Sequence, residues 1–171
     1  MSDLDPATLR RDLLIEQGIE RQMDTLVRQA NQRVVLLKNN SEMEESQLRN
    51  LLNAAIESRS QEVVINFIRY QIARKGKAWG EMPDSFGHKV IEDLTHQLPQ
   101  WHTAVLEFVR DRESPPTLEE ADRDRAKVKL MQLYLGYLNR AFYYANKMKA
   151  FDTLTSPTLS SAAPTEAPRG K

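Results

Sequence analysis

Cysteine is absent from all 171 residues, which excludes a disulfide framework and any thiolate metal site and suits a reducing, cytoplasmic setting. Histidine is nearly as scarce, since His88, His96 and His102 are the only imidazoles. The six glycines form no GxGxxG, GxxxxGK[ST] or GxSxG pattern, so phosphate-loop and α/β-hydrolase chemistry have no support. No apolar stretch approaches the roughly 18 residues needed to cross a bilayer, and the start, Met1-Ser2-Asp3-Leu4-Asp5, lacks a basic region followed by an apolar run. Neither membrane insertion nor export by the usual signal is expected. What remains is a length suited to one domain with an appendage.

Acidic residues are missing from two windows, although lysine plus arginine balance aspartate plus glutamate at 24 each. Between Glu62 and Glu81 there is none, while Arg69, Arg74, Lys75 and Lys77 fall inside. From Ala126 to Phe151 there is again none, alongside Lys127, Lys129, Arg140, Lys147 and Lys149. The acids collect instead at Glu42, Glu44 and Glu45 and between Asp111 and Asp124. Neutrality argues against a general polycation, but the segregation leaves room for local basic surfaces.

Helical periodicity runs through most of the chain, with no internal repeat. Asp5-Pro6 reads as an N-cap with proline at the first helical position, and Ile19, Met23, Leu26, Ala30, Val34 and Leu37 extend the pattern to about Lys38. Gly18 is the weak point at which this element divides if it is two helices, because mid-helix glycine costs about 1 kcal/mol relative to alanine. A second helix is predicted over 46–58, capped by Ser46 or preceded by a Ser41–Glu44 capping box, with Leu48, Leu51, Leu52, Ala55 and Ile56 as its apolar run. Ser60 caps a third, carrying Val64, Ile65, Phe67, Ile68 and Ile72 and ending at Gly76. Residues 76–84 read as a loop anchored by Trp79. A fourth helix presents Phe86, Val90, Ile91 and Leu94, and Pro99 is expected to break it before a fifth with Trp101, Val105, Phe108 and Val109. Ser114-Pro115-Pro116 ends that one. Thr117 and Glu120 make a capping box for the longest helix, whose seam is Val128, Met131, Leu135, Leu138, Phe142 and Ala145. The expected fold is therefore all-α, a compact bundle of five to six helices over 1–151. The Ser/Thr/Pro/Ala-rich segment 152–171 is expected to be a disordered tail, lacking the apolar area to offset its ordering entropy.

Candidate chemistry is thin. His88, Glu92 and His96 fall at four-residue steps, so two of them could ligate a metal from one helix face. They lack the HExxH order and a fourth ligand, and they serve equally as a solvated face; no metal, cofactor or catalytic group is assigned. Asp122 and Asp124, two apart, do not face each other on a helix and suit its positive end. On the last helix, at about 100° per residue, Lys129, Leu133, Gly136, Arg140, Tyr143 and Lys147 form a stripe nearly opposite the seam, flanked by Tyr137 and Tyr144. Cations interleaved with tyrosines and free of carboxylates suit a nucleic-acid backbone and its exposed bases. The same stripe suits a partner helix, which makes a protein-binding adaptor the alternative. Arg74 and Lys75 also complement the C-terminal dipole of the third helix whatever their function.

Ser46-Gln47-Leu48-Arg49-Asn50-Leu51-Leu52 resembles the S/T-Q-L/I-R-x-hydrophobic helix start of the small subunit of type III-A CRISPR effector (Csm) complexes. Phe67-Ile68-Arg69-Tyr70-Gln71-Ile72-Ala73-Arg74 is similar to that family's Y-Q-A-G-R-like helix end, with Ile72-Ala73 where the family tends toward Ala-Gly. Residues 134–151 are similar to its closing aromatic helix, and the likeness spans roughly residues 26–151, leaving the N-terminal helix and the tail outside it. The resemblance implies a non-catalytic, cytoplasmic filament subunit that associates with itself and with other effector-complex subunits, along a groove holding guide RNA paired to target RNA. Arg49, Arg69 and Arg74 match the motif positions; Lys75, Lys77, Arg140 and Lys147 join them from the charge pattern.

Overall fold

The computed structural model describes residues 5–156, and among these the regular structure is entirely helical. Asp5 and Pro6 open helix α1 (Pro6–Glu20) at the predicted place. The predicted long element is two helices, but the division falls at Arg21-Gln22 and not at Gly18. Helix α2 is Met23–Val35. Gly18 is buried within α1, where a Cβ would come 3.0 Å from Val105 Cγ1 and 3.2 Å from Phe108 Cδ1. The glycine is thus a contact surface for another helix, and its helix-weakening tendency is overridden by packing. Direction changes at Arg21 because α1 packs chiefly on the helix carrying Val105, whereas α2 packs chiefly on the long C-terminal helix.

The 39–44 connection is organised by Asn40. Its Oδ1 accepts from the backbone N–H groups of Glu42 (2.9 Å) and Met43 (3.0 Å), and its Nδ2 donates to the Ala78 carbonyl (2.8 Å). Neither predicted serine caps helix α3 (Glu45–Ser58): Glu44 holds the N-cap position, and Ser46, already in the first turn, donates to the Glu44 carboxylate. Ser60 does cap α4 (Gln61–Arg74), accepting from the Val63 N–H. The predicted 76–84 loop begins as a single helical turn, α5 (Gly76–Trp79), with Trp79 fully buried against Phe86.

Pro99 does not break the chain's next element. Helix α6 (Phe86–Glu92) runs through a π turn (Asp93–Gln97) straight into α7 (Leu98–Arg110), the Leu98 N–H reaching back to the Asp93 carbonyl. In a regular helix the Pro99 ring would press on the carbonyl four residues back and leave it without a donor; the wider turn absorbs both defects. Helix α8 (Glu120–Met148) is opened by a capping box of Glu119 and Asp122, two residues beyond the predicted Thr117–Glu120 pair. Its buried face carries Ala126, Leu130, Met131, Tyr134, Leu135, Leu138, Phe142 and Ala145, with Val128 only half-buried. It packs against α1, α2, α3 and α7, which makes it the spine of the bundle. Residues 151–154 form a 3-10 turn whose Phe151 packs edge-on to Phe142, so the first residues assigned to the tail by composition are built onto the bundle. The remainder of that predicted tail lies outside the described residues.

Asp93 ties these elements together. Its side chain is fully buried and accepts from Arg33 Nε (2.8 Å) and Nη2 (2.7 Å), Gln29 Nε2 (2.7 Å) and the Tyr134 hydroxyl (2.5 Å). The hydrogen bond to Asp93 holds Arg33 still more firmly protonated, and burial, reinforced by Asp93, pushes the Tyr134 hydroxyl well above its ordinary range. Removing one partner of such a buried pair strands the other without solvent. Asp93→Ala is expected to cost about 3–5 kcal/mol in chemical denaturation. Tyr134→Phe, which removes one charge-assisted bond, is expected to cost about 1.5–3 kcal/mol in the same measurement.

Candidate nucleic-acid interface

Helix α3 turns Gln47, Leu48, Leu51 and Ala55 inward, which leaves Glu45, Arg49, Leu52 and Ile56 on a flank facing α8. From α8 the facing wall is Lys129, Leu133, Gly136, Tyr137, Arg140 and Tyr143. The two helices therefore enclose a groove. At one end Arg49, Asn139, Arg140 and Tyr143 surround a polar cleft with Glu45 at its edge. At the other, Leu52, Ile56, Leu133 and Tyr137 line an apolar notch, bordered by Lys129 and Arg140. Gln132 closes its floor by donating to the Ala55 carbonyl (3.2 Å).

This geometry corrects the helical-wheel expectation in one respect. The stripe on α8 is not wholly opposite the core: Leu133, Gly136 and Tyr137 are half-buried beside α3, while Lys129, Arg140, Tyr143 and Lys147 stand in solvent. Ile56, predicted as part of the α3 core run, is exposed in the groove. The pattern on α8 alone contained Lys129 and Gly136, but only the neighbouring helix shows them to be walls of one cleft.

Arg49, Arg140 and Lys147 thus share the α3–α8 side of the molecule. Lys147 Nζ lies 3.8 Å from Glu45 Oε1 and 5.7 Å over the Tyr143 ring. Arg69, Arg74, Lys75 and Lys77 form a separate group on and after α4, all exposed. Arg74 bonds the Tyr70 hydroxyl (3.2 Å) and lies over its ring, whereas Arg69, five residues earlier, projects about 140° away around the helix. The second motif's two arginines accordingly serve different flanks. Among the described residues, Lys147 is the one candidate cation with a carboxylate in ion-pair range. Outside the two acid-free windows the pattern is mixed: Arg11, Arg33, Lys38, Lys89, Arg110 and Arg125 are paired with carboxylates, Arg10 and Arg28 donate to backbone carbonyls, and Arg21 and Arg112 lie over the Phe108 ring.

The histidines do not converge. Glu92 is held by Lys89 (2.6 Å), which keeps its carboxyl below the ordinary range, and the π turn carries His96 onto Thr95 Oγ1 and the Glu92 carbonyl. Among the described residues no three His, Asp or Glu side chains are grouped as metal ligands. His102 donates from Nε2 to the Arg123 carbonyl (2.9 Å), linking α7 to α8. Among known proteins, no family model, curated sequence or solved structure matches this chain.

Two outcomes follow from this placement. Because Arg49 and Arg140 hold no hydrogen-bond or ion-pair partner among the described residues, Arg49→Ala and Arg140→Ala are expected to leave the thermal unfolding midpoint at the wild-type value. Burial lowers the pKa of His102, so the folded state binds its proton less readily than the unfolded chain does. Stability is then full above the ordinary pKa of 6.5 and is lost as pH falls below it. His102→Gln should flatten the decline measured by denaturation between neutral and mildly acidic pH.

Proposed function

We propose that this protein is a non-catalytic small subunit of a type III CRISPR RNA-guided effector complex, contacting guide and target RNA through its basic helix faces. The observation that carries this reading is the unpaired state of the exposed cations. Arg11, Arg33 and Arg125 are spent on carboxylates, but among the described residues Arg49, Arg69, Arg74, Lys75, Lys77 and Arg140 are open to solvent with no carboxylate in range. Phosphates supply the missing counter-charge, and contact with them requires no sequence readout. Tyrosines 70, 143 and 144, exposed on the same helices, offer rings for riboses and unpaired bases. In the resemblance segment Gln47, Leu48 and Leu51 point into the core while Arg49 points out, consistent with a motif that combines packing with one outward contact. Self-association and contact with larger subunits extend the binding surface along the RNA, and strand cutting belongs to those other subunits.

A second reading, a helical adaptor that binds protein without nucleic acid, draws on the exposed Ile56 and the half-buried Leu133 and Tyr137 in the groove. The two separate cleanly by salt titration. Each phosphate contact adds about one unit or less to the slope of log affinity against log salt. Charge reversal at Arg49 and Arg140, and separately at Arg69, Arg74 and Lys77, is expected to weaken RNA binding and reduce that slope. Unchanged binding in both variants, or nuclease-insensitive assembly of a wild-type protein that retains no RNA, would favour the adaptor.

A further inference from the structure

Gly136 lies deep inside the 29-residue α8, in ordinary helical backbone, where glycine is the least favourable residue after proline. Packing does not explain it. A Cβ built at Gly18 or Gly87 meets another element at 3.0 Å or less, but at Gly136 a Cβ would meet none of the described residues within 4 Å. No turn or left-handed conformation requires it either. What the missing side chain provides is open space over the α3–α8 notch, between the rims formed by Lys129 and Arg140.

We infer that this notch receives one unpaired nucleobase of a single RNA strand, with the adjoining phosphates on Lys129 and Arg140. The inference rests on the nucleic-acid reading of the groove and adds the form of the ligand. The notch is apolar between two cations, which is the alternation a single strand presents: a planar ring flanked by charged phosphates. Leu52, Ile56 and Leu133 offer apolar contact, and Tyr137 offers an aromatic face. The bases of a duplex, stacked and paired inside the helix, have no ring to insert. A protein helix seated here would need carboxylates to meet Lys129, Arg140 and Arg49 together; a polyanion supplies that charge at every residue. The site therefore favours single strands over duplexes irrespective of base identity.

Gly136→Leu tests this without changing a charge, since leucine fills the notch and is a better helix former than glycine. Fluorescence anisotropy with labelled oligoadenylate, oligouridylate and an RNA duplex of equal length reads the result on the full chain at low salt. Wild type is expected to bind both single strands more tightly than the duplex. Gly136→Leu is expected to lose about tenfold on the single strands, the effect of removing one stacked base, with duplex binding and salt slope unchanged. An unfolding midpoint at or above wild type would confirm that the loss is not misfolding. Equal single-strand affinity in the two proteins overturns the notch and leaves the phosphate contacts standing. Loss of self-association in the variant with RNA affinity intact overturns it in favour of a protein-filled groove. Absence of RNA binding by wild type overturns both this inference and the function on which it rests.

Discussion

A single buried carboxylate decides how this bundle closes. Asp93 sits where a regular helix has been widened by one residue, and from that point it collects donors from α2 and α8. A buried carboxylate is strongly unfavourable unless its lone pairs are filled, and here two guanidinium contacts, an amide and a phenol fill them. The requirement fixes three things together: the rotation of α2, the inward orientation of Tyr134, and the path of the chain through the π turn. Because Tyr134 also packs on Trp101 of α7, at 5.3 Å between ring centroids, the polar cluster and the apolar core share one residue.

Most of the helices are legible in the sequence because their apolar residues recur at three- and four-residue steps and because Ser60, Pro6 and the Ser-Pro-Pro segment mark ends. The places where local rules mislead have a common cause, namely contacts that only the assembled bundle provides. Gly18 looks like a helix breaker and is a seat for Val105. Ser46 and Thr117 look like caps, yet Glu44 and Glu119 hold those positions. Pro99 looks like a terminator, but Phe86, Val90, Leu94 and Leu98 follow one another at four-residue intervals. The apolar series runs through Pro99's neighbourhood without a gap, and the π turn lets the chain continue as helix where proline's usual effect would end it.

The candidate site was half visible. Acid-free windows locate the cations after Glu62 and along α8, and wheel arithmetic locates the stripe on α8, because both depend on sequence order alone; Arg49 lies outside both windows and is singled out only by the resemblance. The groove does not, since its second wall comes from α3, some eighty residues earlier, and nothing local announces that Arg49 and Arg140 will meet. Ile56 illustrates the difference. By periodicity it belongs with Leu52, and both do share a flank; but the flank is the lip of the cleft, where one is half-buried and the other open.

The segregation of charge along α8 has an orientational consequence. The first turns of the helix interleave Glu120, Asp122 and Asp124 with Arg123, Arg125, Lys127 and Lys129, which leaves that end nearly balanced, whereas Arg140, Lys147 and Lys149 lie toward or just beyond the far end with no acid of the helix beside them. At about 1.5 Å per residue the two ends are tens of ångströms apart. A molecule of zero net charge feels little overall pull from a polyelectrolyte, but within a screening length of about 8–10 Å only the nearby charges count. Attraction to a phosphate chain is therefore local to the far end, and approach from the balanced end gains little.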